Sequence, residues 1–142
     1  QYLALHSPIF ATMFYGDFVE KGKSEIELKD VKYEEFVDLL NVIFPTSIEI
    51  TDESVAHILK LADRFQIECA LDHAESYLIE TKKFEALQKL TFADQYRLDL
   101  LMVSCDFKKN KTLSFPLFQP SPEYKGFSDK TKSAICDKMM DL

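Results

Sequence analysis

Apolar side chains recur every three or four positions through most of the segment from Lys32 to Leu78, and no other feature limits the possible fold as much. That period belongs to amphipathic helices, whose one apolar stripe must find cover. "KYEEFVDLLNVIF" predicts a helix with Tyr33, Phe36, Val37, Leu40 and Ile43 on one face, ended by Pro45. Thr51 predicts the cap of a second helix, with Asp52 and Glu53 in its first turn, where the helix dipole favours anions. Its inward face reads Val55, Ile58, Leu59, Ala62 and Phe65, and a third helix turns Leu71, Ala74, Tyr77 and Leu78 inward.

Upstream, Ser7-Pro8 predicts a helix start: a capping hydroxyl, then a proline whose missing N–H costs nothing there. Ile9, Phe10, Met13 and Phe14 follow at helical spacing, and Gly16 stops the run. The period then changes. Ile26 and Leu28 alternate with Glu25 and Glu27, which predicts a short strand closed by Val31, and "SIEI" is a second short strand candidate. Between helix and first strand stands Phe18-Val19-Glu20, a large apolar side chain and an acid placed in a turn. The first residues, Tyr2, Leu3 and Leu5, resemble the last turns of an apolar helix without a start signal, as expected of a fragment or a chain shortened upstream.

A recurrence follows. Ala62-Asp63, Phe65, Ile67 and Leu71 return 31 positions later as Ala93-Asp94, Tyr96, Leu98 and Met102. Two copies are too few for a solenoid, so the expectation is two helical hairpins, one docked behind the other. Pro116, Pro120 and Pro122, with Phe115 and Phe118 between them, mark a loop or linker. Ser128-Asp129 starts a last helix, with Ala134, Ile135 and Met139 on one side.

Sites of chemistry are scarce. A net charge of -7 argues against a nucleic-acid or anionic-membrane surface, which needs clustered cations. No run approaches the ~18 apolar residues of a membrane-spanning helix, and the N-terminus lacks the marks of a signal peptide. Gly16, Gly22 and Gly126 cannot form a phosphate-cradling loop. Ser7 has no nucleophile-elbow context, and His6, His57 and His73 have no triad partners. Cys69 and His73 stand four apart on one helix, workable ligand spacing, but supply only half of a tetrahedral zinc site; a half-buried thiol beside a surface imidazole is the expected arrangement. Glu34-Glu35 do not converge on one point. No enzyme, cofactor or metal site is expected. Cys69, Cys105 and Cys136 are odd in number and far apart, which suggests reduced thiols and a cytoplasmic or nuclear setting.

The ordered series "LALHSPIFATMF", "EIELKDV", "FVDLLNVIFPTSIEIT", "VAHILKLADRFQI" and "ALDHAESYL" resembles the BTB/POZ domain. "FADQYRLDLL" and the tail beyond it are similar to the extension of MATH–BTB (speckle-type) adaptors. The resemblance implies a mainly α fold with a small β component: an N-terminally incomplete BTB/POZ domain over 1–80, a cullin-box-like helical extension over 81–111, and a linker with a C-terminal helix over 112–142. It also implies a substrate adaptor for a cullin-3 ubiquitin ligase. In such adaptors a hydrophobic-x-Glu motif in the turn between this helix and this strand meets the cullin. Phe18, Val19 and Glu20 fit it, and the implied contact extends to Asp17, Phe44, Thr46 and Tyr96. A substrate would be held by an upstream MATH domain, and homodimerisation would be weakened because the family's first strands are missing. Phe44-Pro45 departs from the Tyr-Thr of many relatives. The alternatives are a BTB scaffold or transcription-regulator domain that does not bind a cullin, and a truncated, non-functional paralogue.

Overall fold

A computed structural model describes residues 1–16, 25–44, 48–105 and 122–140. The chain forms two compact units, 1–74 and 75–142. The first contains α1 (Tyr2–His6), α2 (Pro8–Tyr15), α3 (Tyr33–Ile43), α4 (Val55–Arg64) and the first half of α5 (Glu68–Glu80). The second contains the rest of α5, then α6 (Ala86–Tyr96), α7 (Asp99–Ser104), α8 (Pro122–Gly126) and α9 (Asp129–Met140).

In the first unit α4 supplies the centre. Val55, Ile58, Leu59, Ala62 and Phe65 are all buried, as its spacing predicts, and Leu61 joins them. An aromatic cluster fastens α2 to it: the Phe10 ring stacks on Phe65 with centroids 4.7 Å apart and meets Phe36 edge-on at 6.2 Å. Ser7 performs its expected cap, its hydroxyl accepting from the Phe10 N–H at 3.1 Å. The same buried hydroxyl donates to the Phe65 carbonyl, one of the orphan acceptors at the end of α4. Gly16 ends α2, donating its N–H to the Thr12 carbonyl at 2.8 Å.

Three local expectations need correction. The α3 stripe is rotated: Leu39, Val42 and Ile43 are buried, whereas Tyr33 is 81% exposed. Phe36, Val37 and Leu40 are half-buried at its margin. Thr51 caps a turn and not the helix itself. Its hydroxyl accepts from the Ser54 N–H at 3.2 Å while the Ser54 hydroxyl accepts from the Thr51 N–H at 2.9 Å, so α4 starts after Ser54, and Asp52 and Glu53 lie before it. Neither predicted strand forms among the described residues. Ile26 and Leu28 are half-buried and Glu25 and Glu27 exposed, so the alternation is real. A strand, however, is defined by a ladder to a neighbour, and no described residue supplies one. The extended segment ends in a turn with Asp30 at φ 57°, held where the Arg64 guanidinium donates to the Lys29 carbonyl at 2.9 Å.

In the second unit Leu90, Leu98, Leu101 and Ile135 are buried. The Glu75 carboxylate, itself buried, accepts from the Leu101 N–H at 2.9 Å, so its charge faces the positive end of α7. Helix α9 is gripped at both ends. At its start Asp94 accepts from the Ser128 N–H at 3.1 Å and from the Thr131 hydroxyl at 2.6 Å. Near its end the Lys138 ammonium donates to the carbonyls of Met102 at 3.1 Å, Cys105 at 3.0 Å and Val103, the orphan acceptors of α7.

The recurrence is a shared corner. In the first copy Gln66 adopts φ 53°, its N–H donates to the Asp63 carbonyl at 3.1 Å, and the Ile67 N–H reaches back to Ala62 at 2.8 Å. In the second, Arg97 adopts φ 57° and the Leu98 N–H reaches back to Ala93 at 2.9 Å. These are Schellman-type helix ends followed at once by another helix. Ala62 and Ala93, both buried, accept the returning N–H, and the aliphatic residue after the left-handed position lies inward: Ile67 and Leu98 are both buried.

Candidate functional site

Of the expected partner-binding residues, Asp17, Phe18, Val19, Glu20 and Thr46 lie outside the described residues. The remaining two belong to different units. Phe44 caps the end of α3 and is 38% exposed. Its ring stacks on Tyr2 with centroids 4.7 Å apart and planes 15° apart, while the Tyr2 hydroxyl donates to the Ile43 carbonyl at 3.1 Å. α1 therefore fixes the ring against the end of α3 and leaves one side of it to solvent. Tyr96 is half-buried at the end of α6, stacked on Phe92 at 6.5 Å.

The end of α2, one residue short of Asp17, presents two aromatics outside the hydrophobic-x-Glu motif. Phe14 is 37% and Tyr15 61% exposed; Phe14 stacks on Phe10, and Tyr15 meets Phe14 edge-on. Helical spacing marks Phe14 as inward-facing. Phe10 is buried against Phe65, whereas Phe14, one turn later, lies at the rim. Large, rigid, half-exposed aromatics are the side chains that most often anchor protein interfaces.

Cys69 does not pair with His73. Its sulfur lies 3.7 Å from His6 Nδ1, across from α1. Burial pushes the Cys69 thiol above its usual range, although backbone N–H groups oppose it. Among the described residues no three His, Cys, Asp or Glu side chains converge as a metal would require. His57 Nε2 is 2.8 Å from Asp38 Oδ2, linking α4 to α3. All three cysteines carry free thiols. No helix among the described residues is long and apolar enough to cross a membrane.

Phe14, Tyr15 and Phe44 are thus among the exposed large apolar side chains of the first unit. Residues 1–82 match the BTB/POZ domain family. Over its whole length the chain is 39% identical to BTB and MATH domain-containing protein 36 of Caenorhabditis elegans, covering 44% of that protein. It is 37% identical to BTB and MATH domain-containing protein 38 of the same nematode, covering 36% of it. Over 54% of the chain it is 38% identical to Kelch-like protein 40 of Xenopus laevis, covering 12% of that protein. The chain thus spans less than half the length of these relatives.

Proposed function

The chain belongs to the BTB/POZ domain family, and from that premise we propose that it is the interaction module of a BTB–MATH-type adaptor that docks a cullin-3 scaffold of a ubiquitin ligase. The module is non-enzymatic and needs no cofactor. One observation carries the reading: Phe18-Val19-Glu20 stands two residues beyond an α2 whose last turn offers the Phe14 and Tyr15 rings to solvent. Phe18 then fills a groove on the cullin and Glu20 accepts hydrogen bonds at its rim. Asp17 and Val19 frame the pair, and Phe44, Thr46 and Tyr96 widen the contact. The segment 81–111 acts as a cullin-box-like extension, with 112–142 as linker and closing helix. The substrate is held by a MATH-type domain such as the relatives' names carry. Self-association through the BTB region, in cytoplasm or nucleus, completes the assembly.

A calorimetric titration of the chain with the N-terminal domain of cullin-3 tests this. Phe18→Ala and Glu20→Lys should each weaken binding at least about tenfold, the loss expected for an interface anchor. Binding that neither substitution changes refutes the assignment of the contact.

A further inference from the structure

The corner shared by the two copies holds a helix in the second unit. Asp94 receives the Ser128 N–H and hydroxyl and the Thr131 hydroxyl at the start of α9. The Lys130 ammonium lies 2.6 Å from Asp99, and the Thr131 hydroxyl 3.9 Å from the Met102 sulfur. Two acids and one apolar side chain, all on the α6–α7 corner, therefore engage one helix N-terminus.

Moving back 31 positions turns Asp94, Asp99 and Met102 into Asp63, Glu68 and Leu71. The chemistry is kept: acid, acid, apolar. The backbone that carries these residues is kept too. Both corners have a left-handed residue at the same position and the same returning N–H bond, and α5 starts 31 positions before α7. Side chains at matched positions of matched backbones project alike. Yet no described residue donates to the side chain of Asp63 or Glu68. Both are exposed, and Leu71 is half-covered where Met102 is buried. An acid in the last turn of α4 also opposes the helix dipole, so local stability does not account for Asp63.

We propose that the α4–α5 corner is a docking site for the N-terminus of a partner protein's helix, one that opens with a Ser-x-x-Thr cap and carries lysine two residues after the serine. The charges are complementary. Asp63 faces the positive end of the incoming helix and accepts from its cap N–H and hydroxyls. Glu68 meets the lysine, and Leu71 covers the threonine methyl. The site uses none of the residues of the proposed cullin contact, so either can fail without the other.

The probe is an end-blocked peptide of residues 122–140, which carries this cap chemistry, titrated into the isotope-labelled chain and followed by amide shifts. Saturable shifts centred on 62–71 are expected. Asp63→Asn should weaken binding about tenfold or more, as loss of a charged acceptor does, and Glu68→Gln should weaken it less, because exposed ion pairs contribute little. Ser128→Ala in the peptide should match the Asp63→Asn loss. Asp94→Asn in the chain should leave the 62–71 shifts unchanged. No saturable shifts, shifts confined to the α6–α7 corner, or an affinity indifferent to Asp63→Asn each overturn the proposal. Concentration-dependent dimerisation of the chain abolished by Asp63→Asn makes the occupant the α9 of a second copy, and so overturns the assignment to a different protein.

Discussion

Replacing Asp94 by alanine should detach the start of α9. Its carboxylate takes the Ser128 N–H at 3.1 Å and the Thr131 hydroxyl at 2.6 Å, together with the Ser128 hydroxyl. Hydrogen bonds to a charged group contribute about 1.5–3 kcal/mol each when shielded, but Asp94 is only half-buried, so the set is screened and not additive. In the variant the Ser128 hydroxyl, released from Asp94, turns to the fully buried Thr131 oxygen 3.2 Å away, which limits the loss. The net cost is about 2 kcal/mol, equivalent to a fall of about thirtyfold in the hydrogen-exchange protection of α9 amides at pH 7. Burial acts to raise the Asp94 pKa, but the Ser128 and Thr131 hydrogen bonds outweigh it and hold the carboxyl below its ordinary value. A group depressed in the folded state stabilises above its unfolded pKa, about 4, and loses that contribution as pH falls through the lower folded value. Wild type and Asp94→Ala should therefore converge as the pH drops below about 4. Equal α9 protection in both proteins at pH 7, or a gap that survives full acidification, refutes the reasoning.

Leu59→Ala should cost about 2–5 kcal/mol in urea unfolding monitored by circular dichroism, because Leu59 is fully buried on the central face of α4. Gln66→Gly and Arg97→Gly should each add up to about 1 kcal/mol of stability, read as a higher melting temperature, since both side chains tolerate a left-handed φ poorly. Cys105, whose thiol burial pushes up despite the nearby Lys138 and Lys89 ammonium groups, should resist alkylation at pH 8 in the folded chain and react on denaturation. Mass-resolved labelling checks this, and rapid modification of native Cys105 counts against its burial.

Helical periodicity and caps are short-range properties, and the residues themselves determined them. The Ser7 cap and the inward face of α4 follow from side-chain spacing and from which side chains compete for backbone N–H groups. The doubled Ala-Asp pattern was visible as a recurrence, but that each copy closes a helix around a left-handed residue, Gln66 or Arg97, came from the backbone geometry. Tertiary packing decided what spacing could not. The stripe of α3 turned so that Leu39 and Val42 fill the core and Tyr33 stands in solvent. Ile26 and Leu28 kept their alternation without a ladder among the described residues, because a strand depends on a neighbour and not on its own pattern. Phe10 is buried beside Phe65 while Phe14 and Tyr15 lie at the surface, a division that helical spacing alone does not set. The pairing of Asp94 with Ser128 and Thr131 spans more than thirty residues and left no periodic trace. A carboxylate finds its donors by proximity in space, which the order of residues along a chain does not encode locally.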